Sequence, residues 1–178
     1  MSAASPSIDR PIALVGLMGA GKSAVARVLG ERLGVVVADI DAFIEAEEDC
    51  PIAELFEREG EAYFRRREGE VLRQALEAGA QVIACGGGAV LDPAHRRLLR
   101  ERCRVAWLEV TPAEALRRIG SVAGRPVLAG ADPGARLAAL LASRAPLYAE
   151  VADDRIATDG RDAEQVADAV LAAVGIAR

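Results

Sequence analysis

The chain has 178 residues, enough for one domain with a sizeable core. Its hydrophobic share is 52% against 3% aromatic, so the core must be built from Ala, Val, Leu and Ile, and its net charge of −5 argues against a nucleic-acid scaffold with a basic face. Three scattered cysteines, Cys50, Cys85 and Cys103, suit a reducing cytoplasm better than a disulfide framework, and no apolar run approaches the ~20 residues of a membrane span.

Residues 1–10, MSAASPSIDR, lack the apolar stretch of a signal peptide and read as a loose, disordered tail; residues 11–178 read as one domain without internal repeats. PIALV (11–15) predicts a strand, followed by a glycine-rich turn and a helical pattern over 21–33. VVVA (35–38) predicts a second strand, and helical patterns follow over roughly 41–48 and over 60–78. QVIAC (81–85) is the third strand. Asp92-Pro93 starts a helix over 93–102, RVAWLE (104–109) is the fourth strand, and Thr111-Pro112 starts a helix over 112–118. Helical patterns over 134–148 and 162–175 flank a fifth strand, RIAT (155–158). The first three strands are nearly all apolar, as strands covered on both faces should be. Strand-helix alternation predicts an α/β fold, a parallel sheet with helices on both faces. Ile119 to Gly134, with four glycines and two prolines, breaks the rhythm; it is a plain surface loop or a lid over about 119–133 that closes on a ligand.

Of the 22 basic residues, 21 are arginine and one, Lys22, is lysine. Lys22 belongs to GLMGAGKS (16–23), in which Gly16, Gly21, Lys22 and Ser23 match G-x-x-x-x-G-K-[ST] between a strand and a helix. Such a loop points backbone N–H groups at phosphate oxygens, and the helix adds the positive end of its dipole. Nucleotide contacts are expected at Gly19, Ala20, Gly21, Lys22, Ser23 and Ala24, and Mg²⁺ at the Ser23 hydroxyl. Lys22 must reach the β- and γ-phosphates as a compact charge on a thin stem, which a wide planar guanidinium cannot do inside the same loop.

Three further clusters bear on the acceptor. Asp39 and Asp41 follow the second strand, where open sheets bind ligands. They can serve a metal and a hydroxyl, or Asp41 can be a helix N-cap, and both readings stay open. Glu61, Arg65 and Glu68 share one helix face, which by itself reads as a solvated ion-pair surface. Gly86 to Gly88 directly follow the third strand and suggest close backbone approach to a ligand.

In order along the chain, GLMGAGKS (16–23), DID (39–41), Arg65-x-x-Glu68, Leu72, VIACGGGAV (82–90), GRPVLAG (124–130) and SRAPLY (143–148) resemble the shikimate kinases. These belong to the nucleoside-monophosphate-kinase-like branch of the P-loop enzymes. The resemblance covers nearly the whole chain past residue 10. It implies a three-layer P-loop fold with a central five-stranded parallel sheet and a mobile lid. It implies Mg²⁺-dependent transfer of the ATP γ-phosphoryl group to the 3-hydroxyl of shikimate, by a cytoplasmic monomer that needs neither nucleic acid nor membrane. By position, Asp41 would hold the acceptor hydroxyl and take its proton, and Asp39 would lie near Mg²⁺. Arg65 and Arg144 would clamp the substrate carboxylate, supported by Gly86, Gly87 and Gly88. Arg125 would reach from the lid to the phosphates, and Arg118 would lie against adenine. EEDCPI (47–52) lacks a glycine often found in that turn, and TDGR (158–161) falls where members of the family vary. Cys85, beside the glycines, reads as a buried filler or a reactive thiol. The rivals are a gluconate-type sugar-acid kinase and a non-catalytic metabolite sensor of the same fold. R-x-x-E followed by the glycine triplet speaks against the first, and intact Lys22, Ser23, Asp39 and Asp41 speak against the second.

Overall fold

The structure is a computed structural model that describes residues 9–120, 128 and 132–176. Residues 1–8 of the expected tail, and Arg125 with most of the expected lid, lie outside the described residues. The elements run β1 (Ile12–Val15), α1 (Lys22–Leu33), β2 (Val37–Asp39), α2 (Ile40–Glu48), α3 (Ile52–Glu77) and β3 (Val82–Ala84). A short 3-10 turn (Ala89–Leu91) leads to α4 (Pro93–Arg102), β4 (Arg104–Glu109), α5 (Pro112–Ile119), α6 (Pro133–Val151), β5 (Asp154–Ala157) and α7 (Ala163–Ala173).

The five strands form one parallel sheet in the order β2-β3-β1-β4-β5. Each central strand feeds two cores by alternation. Ile12, Leu14, Val82, Ala84, Ala106 and Leu108 pack beneath α1 and α7. Ala13, Val15, Ile83, Val105 and Trp107 pack against α2, α3, α4 and the end of α6. The three-layer expectation therefore holds, and burial of every β1 side chain explains its unbroken apolar run. The chain leaves β1 toward one edge of the sheet and β3 toward the other. The neighbouring carboxyl ends of β1 and β3 thus flank the crevice where such sheets hold ligands.

Two local expectations need correction. Helix α3 begins at Ile52, eight residues before the expected start, and is two helices merged across a kink at Gly60 (φ 82°, ψ 169°). Only glycine adopts that conformation without strain. The helix cap after β2 is Asp39, whose carboxylate accepts from the Ala42 N–H at 3.3 Å. Asp41, the expected alternative cap, lies inside the first turn of α2.

Candidate active site

The loop after β1 is shaped by its neighbours as much as by any ligand. A side chain at Gly16 (φ 143°) would collide with the Leu108 carbonyl of β4, and one at Gly19 (φ 81°) would lie 2.8 Å from the Ala115 carbonyl of α5. Gly21 (φ 90°) has nothing within 4 Å of its missing side chain and faces open space. Helix α1 starts there without a side-chain cap or an acidic residue in its first turn. Helices α2, α4, α5, α6 and α7 are capped by Asp39, Asp92, Thr111, Asp132 and Asp162. The first-turn amides of α1 are left to meet an anion. Lys22 curls over this loop, with Nζ donating to the Gly16 carbonyl at 2.8 Å and the Leu17 carbonyl at 3.0 Å. Desolvation holds its pKa below the ordinary lysine value, against the opposing pull of Asp41.

On the facing side, the three glycines after β3 make room for charged side chains of the protein itself. The missing side chain of Gly86 would lie 2.5 Å from Glu68 Oε1 and 2.6 Å from Asp41 Oδ1. That of Gly88 would collide with the Arg65 guanidinium, and that of Gly87 would sit 3.4 Å from the Met18 amide nitrogen and 3.7 Å from Arg144 Nη1. The Gly87 carbonyl accepts from Arg144 Nη1 at 3.1 Å and from the Tyr148 hydroxyl at 2.5 Å. Arg65 donates to Glu68 Oε2 at 2.8 Å. Glu68 is 1% exposed, so the Arg65-x-x-Glu68 face is not the solvated surface its spacing suggests. Glu68 Oε1 and Asp41 Oδ1 are buried without a hydrogen-bond partner. Burial pushes the Glu68 carboxyl up to about 7, outweighing the attraction of Arg65. Burial also raises the Asp41 carboxyl, against the pull of Lys22.

A single cavity of about 700 Å³ joins the two sides. Gly19, Gly21, Lys22, Ser23 and Ala24 line one end with Asp39, and Asp41, Arg65, Gly86, Gly87, Gly88 and Arg144 line the other. Arg118 also opens into it, held by Glu114, by the Gly19 carbonyl and by both oxygens of Thr158. Ala20 is 1% exposed with its side chain in the core, and it is not among the residues that line the cavity. Cys85 is 3% exposed where it borders the cavity, and desolvation holds its thiol well above the ordinary value, as in a buried filler. Sequence reasoning missed the apolar wall from the first half of α3, where Ile52 and Phe56 line the cavity and Phe56 stacks on Phe64 with ring centroids 4.8 Å apart. The Ile52, Leu55, Phe56 spacing is helical and signals this segment.

The family model for shikimate kinase matches residues 18–175. The chain belongs to the shikimate kinase family. The shikimate kinase of Symbiobacterium thermophilum is 46% identical over 162 residues, covering 90% of this chain and 93% of that one. That of Ruegeria pomeroyi is 43% identical over 169 residues, covering 94% and 86%. Among solved structures, shikimate kinase from Acinetobacter baumannii in complex with shikimate superposes with a TM-score of 0.86 at 39% identity, covering 91% and 90% of the two chains. A gluconokinase from Sinorhizobium meliloti, at 16% identity and a TM-score of 0.53 with 93% and 91% covered, shares the fold alone. Shikimate kinase membership accounts for the order of the motifs and the sheet they sit on. No helix among the described residues is long and apolar enough to cross a membrane.

Proposed function

We propose that this chain transfers the γ-phosphoryl group of ATP to the 3-hydroxyl of shikimate, giving shikimate 3-phosphate and ADP. The observation that carries the reading is the shared cavity: an uncapped helix start with Lys22 opens onto the same space as two arginines and a buried carboxylate. Phosphoryl transfer asks a protein for positioning and charge neutralisation more than for covalent chemistry. The amides from Gly19 to Ala24 cradle the phosphates, and Lys22 leaves its two loop carbonyls to meet the β- and γ-oxygens. Arg118 lies against the adenine, and Arg125 adds positive charge at the phosphates.

At the acceptor end, Arg65 and Arg144 bind the carboxylate, for which bidentate guanidinium is the suited partner. The backbone at Gly86 to Gly88 supports the ring. Asp41 orients the 3-hydroxyl through its unpartnered oxygen and takes its proton, a task helped by a carboxyl raised above the ordinary range. Ser23 and Asp39 bring oxygen donors to the cavity beside Lys22, and Asp39 uses only one of its two oxygens as the α2 cap. That donor set fits Mg²⁺, which takes oxygen ligands and keeps several waters. When bound there, the ion neutralises charge on the transferring phosphoryl group. The three buried free thiols support a cytoplasmic setting.

Magnesium-dependent ADP release with shikimate, gluconate and AMP offered separately tests the reading, together with the kcat/KM ratio for shikimate over its carboxamide. Release with shikimate alone and a ratio well above one are expected. Preference for another acceptor, or a ratio near one, overturns the assignment.

A further inference from the structure

His95 is the chain's single histidine, it is 3% exposed, and it stands outside the cavity. Its ring lies against Gly69 of α3, where a side chain would collide with Nε2. The next residue back along α3 is Glu68, and His95 Nδ1 lies 3.9 Å from the same Oε2 that accepts from Arg65 at 2.8 Å. Nδ1 is also 3.3 Å from the carbonyl of Ala89, the residue directly after the glycine triplet. A carbonyl only accepts, so Nδ1 carries the hydrogen in this contact. Nε2 faces Asp92 Oδ2 at 3.9 Å, beyond hydrogen-bond reach. One buried ring thus touches the helix that bears Arg65 and the turn that ends the triplet.

We propose that His95 is a positioning residue for the acceptor end of the cavity. It holds the Ala89–Leu91 turn against Gly69 and so sets where Gly88 stands relative to the Arg65 guanidinium that fills its missing side chain. Burial lowers the pKa of the ring, which keeps it neutral and free of competition with Arg65 for Glu68. The inference rests on the reading that Arg65 and the glycine triplet bind the acceptor. A ring that only stabilised the fold would change both substrates' constants alike or none. A ring that positions the acceptor end changes the shikimate constant alone.

Three variants test this. Asparagine can place its amide nitrogen where Nδ1 stands, glutamine places its nitrogen near the Nε2 position, and leucine has no donor. Loss of one such hydrogen bond is expected to raise the shikimate KM about fivefold in His95→Leu and His95→Gln. Their ATP KM and kcat stay near parent values, and His95→Asn restores the shikimate KM to near the parent value. Hydrogen exchange at the Ala89 and Leu91 amides, which bond the Gly86 and Gly88 carbonyls at 3.1 and 2.9 Å, should quicken in the first two variants and not in the third. If His95→Leu does not fold, the asparagine and glutamine pair still decides. An unchanged shikimate KM in His95→Gln, or equal changes for both substrates, overturns the proposal. If the parent itself does not phosphorylate shikimate, the functional reading falls separately, and unaltered exchange at the turn still counts against the role of His95.

Discussion

The guanidinium of Arg65 occupies the volume that a side chain at Gly88 would need. Gly88 has φ −102°, a value any residue adopts, so its lack of a side chain answers to Arg65 and not to backbone conformation. Gly88→Ala should therefore act by displacing Arg65. The shikimate KM is expected to rise about tenfold or more, with the ATP KM unchanged and thermal stability nearly so. The same substitution placed on Arg65→Ala should cost little more than Arg65→Ala alone. Additive losses in that double-mutant cycle would show that the two residues act independently.

Lys22 folds back inside the loop to donate to two of its carbonyls at 2.8 and 3.0 Å, and a guanidinium is wider and more rigid than the ammonium that fits there. Lys22→Arg is expected to lose on the order of 10- to 100-fold or more in kcat, close to the loss in Lys22→Ala. Steady-state kinetics of the two variants side by side check this. Near-normal turnover with arginine would remove the steric explanation for the lone lysine.

Asp41→Asn keeps the shape of the side chain and removes its charge. ATP affinity should hold while turnover falls ~10²–10⁴-fold, the range of a general base. Nucleotide titration beside turnover separates the outcomes: a parallel collapse of ATP binding would assign Asp41 to the metal or to the fold instead.

Glu68 offers a test on stability. Its carboxyl stands at about 7 in the folded chain against an ordinary 4.5, because burial opposes its charge. Between those values the folded chain binds more protons than the unfolded one. The stability Glu68 contributes is thus complete below pH 4.5 and is lost as pH rises through 7. The difference in unfolding free energy between parent and Glu68→Gln should shrink across that window and level off above it, as read by urea titration. A difference that grows with pH would mean that the Arg65 ion pair outweighs desolvation.

Asp49 is the one non-glycine residue with positive φ among the described residues, at φ 49° and ψ 35°, and it ends α2. This is the EEDCPI turn, where the family resemblance leads one to expect a glycine. Asp49→Gly is expected to stabilise the chain by ~0.5–1 kcal/mol and Asp49→Ala to destabilise it, without effect on kcat. Thermal melts of both decide the matter.

The parallel sheet was readable because its central strands β1, β3 and β4 are largely apolar on both faces and separated by amphipathic helices. The phosphate loop was readable because its chemistry is local: one loop, one helix start, one lysine. The acceptor end was legible in fragments, at Asp41 and at Gly86 to Gly88, and as one site only through resemblance, since Asp41, Arg65, Gly86 to Gly88 and Arg144 come from four separate segments of the chain. Glu68 misled by its ion-pair spacing, although Phe64, Glu68, Val71 and Leu72 fall at i, i+4, i+7 and i+8 and mark it as inward-facing. The helix over 52–59 escaped because it is short and ends at the Gly60 kink, where a left-handed glycine reads like an ordinary loop residue. What filled the space beside each of the three glycines could not be read at all, because the occupants lie on other elements.

Trp107, the chain's single tryptophan, lies on β4 with its ring centroid 5.6 Å from that of Tyr148, whose hydroxyl holds the Gly87 carbonyl. Arg155 covers the indole at 5.0 Å. The molecule therefore carries a built-in optical reporter two contacts away from the acceptor loop. Its emission needs no label and comes from a site between the two ends of the cavity: Tyr148 links it to Gly87, and the indole Cδ1 lies 3.5 Å from where a side chain at Gly16 of the phosphate loop would stand. Titrating each substrate in turn while watching that single fluorophore follows the filling of either end of the cavity in one cuvette.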